Sequence, residues 1–491
     1  MSNQVQVPIP VNEPVRSYAP GTAERRSLKA ALADMSGQQI DIPVIVGGQE
    51  IRTGHTARAV MPHKHGHLLA TWHKAGPAEV NQAIEAAEQA HREWASWPWE
   101  DRAAVLLKAA ELLATSWRGT VNGATMLCQS KTAHQAEIDA VCELVDFYRF
   151  NAHYAERLYE DQPLSVGGAW NRLDYRPLEG FVYAVTPFNF TSIAGNLPTS
   201  PALMGNTVLW KPASSTVYSG YFLMKLLMEA GLPPGVINFL PGDAGTISGV
   251  VLPHRDLAGI HFTGSTGVFQ SMWRAVGENI GRYRSYPRLV GETGGKDFII
   301  AHASADRAAL VTAIIRGGFE YQGQKCSAVS RVYVADTTWR EIRDEVVNLT
   351  TGLPMGDPAD FRNFMGAVID RSAFASISGY LEEARRSPDA EIVAGGETDD
   401  RTGYFIRPTL IRAHRPDFRT MCEEIFGPVV TVYVYPEREW ERTLELVDRT
   451  SPYALTGAVF ATDRRALREA NHALRFAAGN YYINDKPTGA V

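Results

Sequence analysis

Apolar residues recur at helical spacing over residues 77–97, where Val80, Ile84, Ala87, Ala90 and Trp94 mark one face. Pro77 suits the first turn of that helix, where its missing N–H has no partner to lose. The same spacing predicts a second helix over 102–117 and a third over 136–154, which lines up Ile138, Val141, Val145 and Tyr148. Short unbroken apolar runs at 180–185, 207–210 and 236–239 read as buried strands. A helix over 218–230 is closed by Gly231-Leu232-Pro233-Pro234, a stop signal. Strand, helix, strand in this order argues for βαβ units and a parallel sheet. Past Gly291 the alternation resumes, with strands at 297–300 and 331–334 and helices at 305–319 and 338–351. That is the pattern of a second α/β domain. Residues 1–50 mix Pro, Gly and polar residues with a helical stretch at 25–35, as an arm laid on the body would. Residues 164–176 are polar and short-stranded, suited to an edge hairpin that makes an oligomer contact. Residues 480–484 read as a strand near the core.

Composition narrows the class. A chain of 491 residues divides naturally into two or three domains. Hydrophobic residues make up 45% and charged residues 21%, the balance of a globular enzyme. The net charge of −6 and the lack of a basic tract argue against a nucleic-acid partner. No apolar run reaches the roughly 20 residues a membrane span needs. Four cysteines, Cys128, Cys142, Cys326 and Cys422, are too sparse for a disulfide scaffold and lack metal-ligand spacing, so no metal site is expected. Free thiols point to a reducing compartment. The first fifteen residues lack both an apolar signal core and an Arg-rich transit pattern. The expectation is cytoplasmic, with a processed organelle-matrix protein as the alternative.

Chemistry enters with Cys326, in Gly323-Gln324-Lys325-Cys326-Ser327. A thiol attacking an aldehyde forms a thiohemiacetal; the oxyanion needs donors, and the later thioester needs an activated water. The Cys326 N–H and the Asn189 amide are candidate oxyanion donors, and Glu292 the candidate base. Taken singly, each has a plainer reading: a buried thiol, a turn asparagine, a capping carboxylate. Lys211 ends an apolar strand, where ligands gather in α/β sheets. Phe262-Thr263-Gly264-Ser265-Thr266-Gly267 stands between a strand and a helix predicted over 268–276, so its free N–H groups suit a diphosphate. Glu143 has Cys142 and Leu144 beside it and Phe147 one turn on; a carboxylate in such apolar company calls for a reason.

Five ordered motifs resemble the aldehyde dehydrogenase superfamily. They are Pro187-Phe188-Asn189-Phe190, Trp210-Lys211-Pro212, Glu292-Thr293-Gly294-Gly295-Lys296, Gly323-Gln324-Lys325-Cys326 and Glu424-Ile425-Phe426-Gly427-Pro428. Phe188-Asn189-Phe190-Thr191, Pro201-Ala202-Leu203-Met204-Gly205-Asn206, Phe319-Glu320-Tyr321 and Tyr482-Ile483-Asn484-Asp485-Lys486 narrow the resemblance to the L-glutamate-gamma-semialdehyde (1-pyrroline-5-carboxylate) dehydrogenases. The resemblance implies oxidation of that semialdehyde to L-glutamate with NAD, in proline catabolism. It implies Cys326 as nucleophile, Glu292 as base and Asn189 as oxyanion donor. Glu143 would face the substrate ammonium, Phe190 its aliphatic part and Ser327 its carboxylate. On the cofactor side it places Lys211 at the adenosine ribose, Gly242 under the adenosine half, Ser265 at the pyrophosphate, Glu424 at the nicotinamide ribose and Phe426 near the nicotinamide. Three positions after Lys211, many NAD-specific relatives carry a glutamate that repels a 2′-phosphate. Here that position is Ser214, so charge does not exclude NADP, although NAD is the family expectation. Ser214 also reads as a helix N-cap.

The implied fold is α/β and aldehyde dehydrogenase-like: a Rossmann-like NAD-binding domain, an α/β catalytic domain and a small oligomerisation hairpin. The expected divisions are 1–160, arm and first part of the NAD-binding domain; 161–179, hairpin; 180–290, NAD-binding domain; 291–475, catalytic domain; and 476–491, a return toward the NAD-binding domain. The family continues past Val491, with a Gly-rich loop anchoring the substrate carboxylate and amino group and the last strand of the hairpin. A homo-oligomer and functional coupling to proline dehydrogenase follow from the same resemblance. The alternatives are a dehydrogenase for another aldehyde, and a shortened chain impaired in catalysis.

Overall fold

The computed structural model describes residues 6–487 and divides into two compact units. The first comprises Met1–Val60, His67–Gln129 and Ala133–Thr293; the second comprises Met61–Gly66, Ser130–Thr132 and Gly294–Val491.

The first unit is built on a seven-stranded sheet. Its order is Arg288–Thr293, Leu257–Gly264, Phe181–Val185, Thr207–Lys211, Ile237–Phe239, Val44–Val46, Gln49–Ile51. The first five strands run parallel and the last two are antiparallel. The central strands Phe181–Val185 and Thr207–Lys211 are buried nearly throughout, which is why they read as continuous apolar runs. From Phe181–Val185 the chain builds toward one edge, then crosses back to place Leu257–Gly264 on the other side. That reversal is a topological switch point, the usual position of a ligand crevice in open α/β sheets.

Helices predicted from periodicity appear as Pro77–Trp94, Trp99–Ala114 and Val217–Ala230. The Val217–Ala230 helix ends at Gly231 with φ +99°, the left-handed cap its sequence announced. The third predicted helix is not uniform: a wide π-helical turn, Glu137–Cys142, separates Ala133–Ala136 from Glu143–Glu160. The helix Thr191–Leu203 escapes periodicity because it contains Pro198 and Pro201. Pro201 has no N–H to give the Leu197 carbonyl, and His261 Nδ1 bonds that oxygen instead at 2.9 Å. His261 thereby carries its proton on Nδ1, and burial lowers its pKa, which favours the neutral ring. Residues 164–176, expected as a hairpin, hold one bridge between Val166 and Ala169, with Leu164 and Trp170 fully exposed.

The second unit repeats the architecture on an independent sheet: Ala390–Ala394, Thr409–Ala413, Val429–Tyr435, Arg331–Ala335, Phe298–Ala301, Thr456–Phe460, Asn480–Ile483. All neighbours are parallel except the first pair. Alternate residues of its inner strands feed two cores. Phe298, Ile300 and Tyr333 enter one; Ile299, Ala301, Val332 and Val334 enter the other. Among the described residues Asn480–Ile483 pairs with Thr456–Phe460 and forms the last strand of this second sheet. Parallel pairing to a neighbouring strand captures a segment whose apolar residues alone do not say which sheet it joins. Among the described residues no helix is long and apolar enough to cross a membrane, and no cluster of His, Cys, Asp and Glu has the geometry of a metal site.

Candidate active site

In the first unit the candidates converge on one edge of the sheet. Lys211 ends its strand, Gly242 and Ser265 follow theirs, Glu292 is the penultimate residue of its strand and Asn189 follows Phe181–Val185. In parallel strands these are all carboxyl ends, so the topology gathers residues that the sequence scatters over a hundred positions. Two contacts tie Asn189 and Lys211 to a common frame. The Thr186 N–H donates to the Lys211 carbonyl at 3.2 Å, and the Trp210 indole N–H donates to the Thr186 hydroxyl at 3.0 Å. Asn189 is buried, and Phe190 is the residue preceding the helix Thr191–Leu203.

Lys211 is almost wholly buried, and desolvation lowers its pKa to about 8, opposed by the charge of Asp243. Its ammonium therefore lies in a weakly hydrated pocket where a hydrogen-bonding ligand gains more than it would in water. Gly242 is required by close approach: a Cβ there would lie 2.9 Å from Ile247 Cδ1 and 3.0 Å from the Ala75 carbonyl. Ser265 caps the N-terminal end of the helix Thr266–Glu278 without a side-chain hydrogen bond to it. The N–H groups of that first turn point along the helix dipole toward the same strand ends. Desolvated cation, glycine turn and open helix terminus together fit a dinucleotide. Ser214 is exposed and opens the short turn Ser214–Thr216. The residue capping the following helix is Thr216, which corrects the N-cap reading of Ser214.

Glu143 opens the helix Glu143–Glu160 and accepts a hydrogen bond from the Ser192 hydroxyl at 2.6 Å. Ser192 sits in the first turn of Thr191–Leu203, so Glu143 and Phe190 are held by adjoining elements. The Glu292 side chain remains solvent-accessible, yet its surroundings desolvate the carboxylate and raise its pKa above the ordinary range. A raised carboxylate is a better proton acceptor near neutral pH than a fully hydrated one.

In the second unit, Cys326 and Ser327 follow a strained turn. Tyr321, Gln322 and Gly323 take φ values of +49°, +55° and +64° in succession. Two of these are not glycine, and each such residue costs on the order of 1–3 kcal/mol. Side-chain bonds hold the turn. Gln322 accepts from the Gly366 N–H at 3.0 Å and donates to the Ala367 carbonyl at 2.7 Å; Gln324 accepts from the Ile369 N–H at 2.9 Å. A Cβ on Gly323 would lie 2.2 Å from the Gly427 carbonyl, so the Cys326 loop and the loop carrying Glu424 and Phe426 touch backbone to backbone. Cys326 is partly accessible, whereas Cys128 and Cys142 are buried and burial raises both thiols. Partial exposure is what a nucleophile needs. Ser327 is buried, and its carbonyl accepts from the Thr456 hydroxyl at 3.2 Å.

Glu424 lies across the Gly294–Gly295 backbone and accepts from the Gly295 N–H at 3.2 Å; a Cβ at Gly294 would collide with its carboxylate at 2.0 Å. Desolvation raises the Glu424 pKa, opposed by that N–H and by Lys296. Phe426 takes φ +57°, a left-handed conformation that turns the loop toward Gly427. Sequence reading missed Gln322, Gln324, Ser192, Lys296 and Asp297. The last two are buried beside Glu424, where burial lowers Lys296 and raises Asp297, each to about 7. Lys296 and Gln324 stand within the sequence motifs; Gln322, Ser192 and Asp297 lie immediately beside them.

Fold and site define a class, and the comparisons agree with it. Residues 51–491 match the model of the aldehyde dehydrogenase family, and this chain belongs to that family. It is 49% identical over 491 residues to the mitochondrial delta-1-pyrroline-5-carboxylate dehydrogenase of Dictyostelium discoideum, covering 99% of this chain and 88% of that one. It is 48% identical to the mitochondrial enzyme of the same name from Mus musculus, covering 98% of this chain and 86% of the other. The crystal structure of the Mycobacterium tuberculosis delta-pyrroline-5-carboxylate dehydrogenase bound with NAD superposes with a TM-score of 0.97 at 53% identity, over 100% of this chain and 91% of that one. The expected cytoplasmic location is corrected by the relatives from Dictyostelium and mouse, both mitochondrial. The free cysteines that suggested it indicate a reducing environment, which an organelle matrix also provides.

Proposed function

We infer that this protein is an NAD-dependent dehydrogenase that oxidises L-glutamate gamma-semialdehyde to L-glutamate. The observation that carries the reading is the Cys326 loop: a partly exposed thiol on a strained, glutamine-braced turn, in a chain about half identical to enzymes of this activity over nearly its whole length. In this reading the Cys326 thiolate bonds to the aldehyde carbon, and the Asn189 amide and the Cys326 N–H receive the oxyanion. Bound NAD supplies the hydride acceptor. Glu292 takes a proton from the water that cleaves the thioester, which frees the thiol and releases glutamate. Lys211, Ser214, Gly242, Ser265, Glu424 and Phe426 form the cofactor side. Glu143 meets the substrate ammonium, Phe190 its methylene groups and Ser327 its carboxylate.

The same reading divides the labour between domains: 180–290, with the helices before it, binds the cofactor, and 291–475 carries the nucleophile. The exposed Leu164, Val166 and Trp170 support an assembly contact between copies through 161–179. The substrate is the ring-opened form of a cyclic imine one two-electron oxidation beyond proline, so a proline-oxidising enzyme is the natural supplier. The test is NADH formation with L-glutamate gamma-semialdehyde against succinate semialdehyde, which lacks the amino group. A kcat/KM at least about tenfold higher for the amino aldehyde is expected, the scale of one charge-assisted contact. Equal values would overturn the assignment of substrate.

A further inference from the structure

The wide turn Glu137–Cys142 immediately precedes Glu143, and its last hydrogen bond is made by Glu143 itself, whose N–H reaches back to the Ile138 carbonyl. An α-helix turns about 100° per residue, so the extra residue of a π turn rotates everything after it by about that angle. Just after that turn the Glu143 carboxylate accepts from the Ser192 hydroxyl at 2.6 Å.

The turn is anchored at its first residue. Glu137 has no exposed surface, yet it is a carboxylate. Its oxygens accept from Arg118 Nε at 3.2 Å, from Arg118 Nη2, from Asn122 Nδ2 at 2.8 Å, from the Tyr18 hydroxyl at 2.6 Å and from the Arg16 N–H at 2.9 Å. Burial alone would raise its pKa, but the bonds from Arg118, Tyr18 and Arg16 outweigh that and hold it below the ordinary range. Arg118, also buried, donates further to Glu13 at 2.6 Å, the Ala114 carbonyl at 3.2 Å and the Pro14 carbonyl at 3.1 Å. The strap continues past Glu143: Asp146 accepts from Asn12 Nδ2 at 2.8 Å and from the Glu13 N–H at 2.7 Å. An N-terminal strap, a helix and the π turn thus meet on one buried carboxylate. A buried ion pair is weak evidence for stability and better suited to fixing geometry.

We propose that Glu137 is a positioning residue for substrate recognition: held by Arg118, Asn122 and the 12–18 strap, it keeps the π turn that aims Glu143 at the substrate amino group. The proposal rests on the reading of Glu143 given above. Loss of the carboxylate lets the turn relax toward α-helix, and Glu143 then rotates away from Ser192.

The test uses the full chain and the ratio of kcat/KM for glutamate semialdehyde to that for succinate semialdehyde. Glu143→Gln lowers the ratio about tenfold, through KM for the amino aldehyde. Glu137→Gln lowers it about fivefold while kcat with succinate semialdehyde holds, and the double variant falls no lower than Glu143→Gln alone. Equal losses on both substrates, or multiplying effects in the double variant, would overturn the proposal. Should Glu137→Gln not fold, Tyr18→Phe removes one bond without changing charge and shifts the ratio less in the same direction; an unchanged ratio there overturns it too. If Glu143→Gln itself leaves the ratio intact, the reading of Glu143 has failed, and the proposal falls with it.

Discussion

At the scale of single residues, chemistry follows from how much water each group has lost. Lys211 titrates near 8 because its ammonium is buried and Asp243 only partly offsets that. A ligand that bonds the ammonium favours its charged form, so on the proposed role of Lys211 NAD binding should take up a proton near this pH. Affinity for NAD is expected to fall as pH rises past about 8, and calorimetry in buffers of different ionisation enthalpy reads the proton directly. Lys211→Ala is expected to weaken NAD binding about tenfold and to abolish that pH dependence. Glu292 moves the opposite way: desolvation raises its pKa, so the base is lost by protonation as pH falls through a value above the usual carboxylate range. Thioester hydrolysis should fail on that acid limb. Glu292→Gln should hold the acyl-enzyme at every pH, seen by intact mass under brief turnover; a variant that never accumulates acyl-enzyme would remove Glu292 from the role. Candidates of this kind can be named from the sequence because each sits in a short local motif. Gln322 and Gln324 were in plain view beside Cys326, but their partners at Gly366, Ala367 and Ile369 are distant along the chain. A motif does not name its long-range partners.

At the scale of elements, strands and amphipathic helices were predictable and interruptions were not. Val217–Ala230 is a regular amphipathic unit with a glycine stop, and its pattern located it within a residue. Thr191–Leu203 violates propensity at two prolines, and its carbonyls are satisfied by His261, by the Thr199 and Ser200 hydroxyls and by Asn206. No window of local sequence contains all of those partners. The turn before Cys326 is a further case, since left-handed residues other than glycine persist only where surroundings over-determine them. Gly323→Ala adds strain at φ +64° and a Cβ 2.2 Å from the Gly427 carbonyl. It should cost at least about 2 kcal/mol in chemical denaturation and most of the activity. Unchanged stability and turnover would mean that the two loops do not depend on this approach.

At the scale of the whole molecule, two sheets were foreseen because apolar strands alternate with helices on both sides of residue 290. Strand order was not legible, since nothing local specifies whether Leu257–Gly264 lies outside Phe181–Val185 or beyond Ile237–Phe239. That order is what creates the switch point and gathers the candidate cofactor residues at the carboxyl ends of the strands. Membership of Asn480–Ile483 in the second sheet was hidden for the same reason. The exposed apolar residues of 161–179 belong to this scale. Replacing Leu164, Val166 and Trp170 together by Ser should lower the solution mass measured by light scattering while the circular dichroism spectrum holds. A mass unchanged from that of the natural chain would overturn the proposed assembly contact through these residues.

Covalent chemistry at Cys326 is the centre of the account. The most direct measurement is NADH formation from L-glutamate gamma-semialdehyde by the natural chain and by Cys326→Ala, with NAD affinity measured on both. The account predicts turnover by the natural chain, none above background by the variant, and equal NAD affinity within about twofold. Steady oxidation by Cys326→Ala at the natural rate would contradict it.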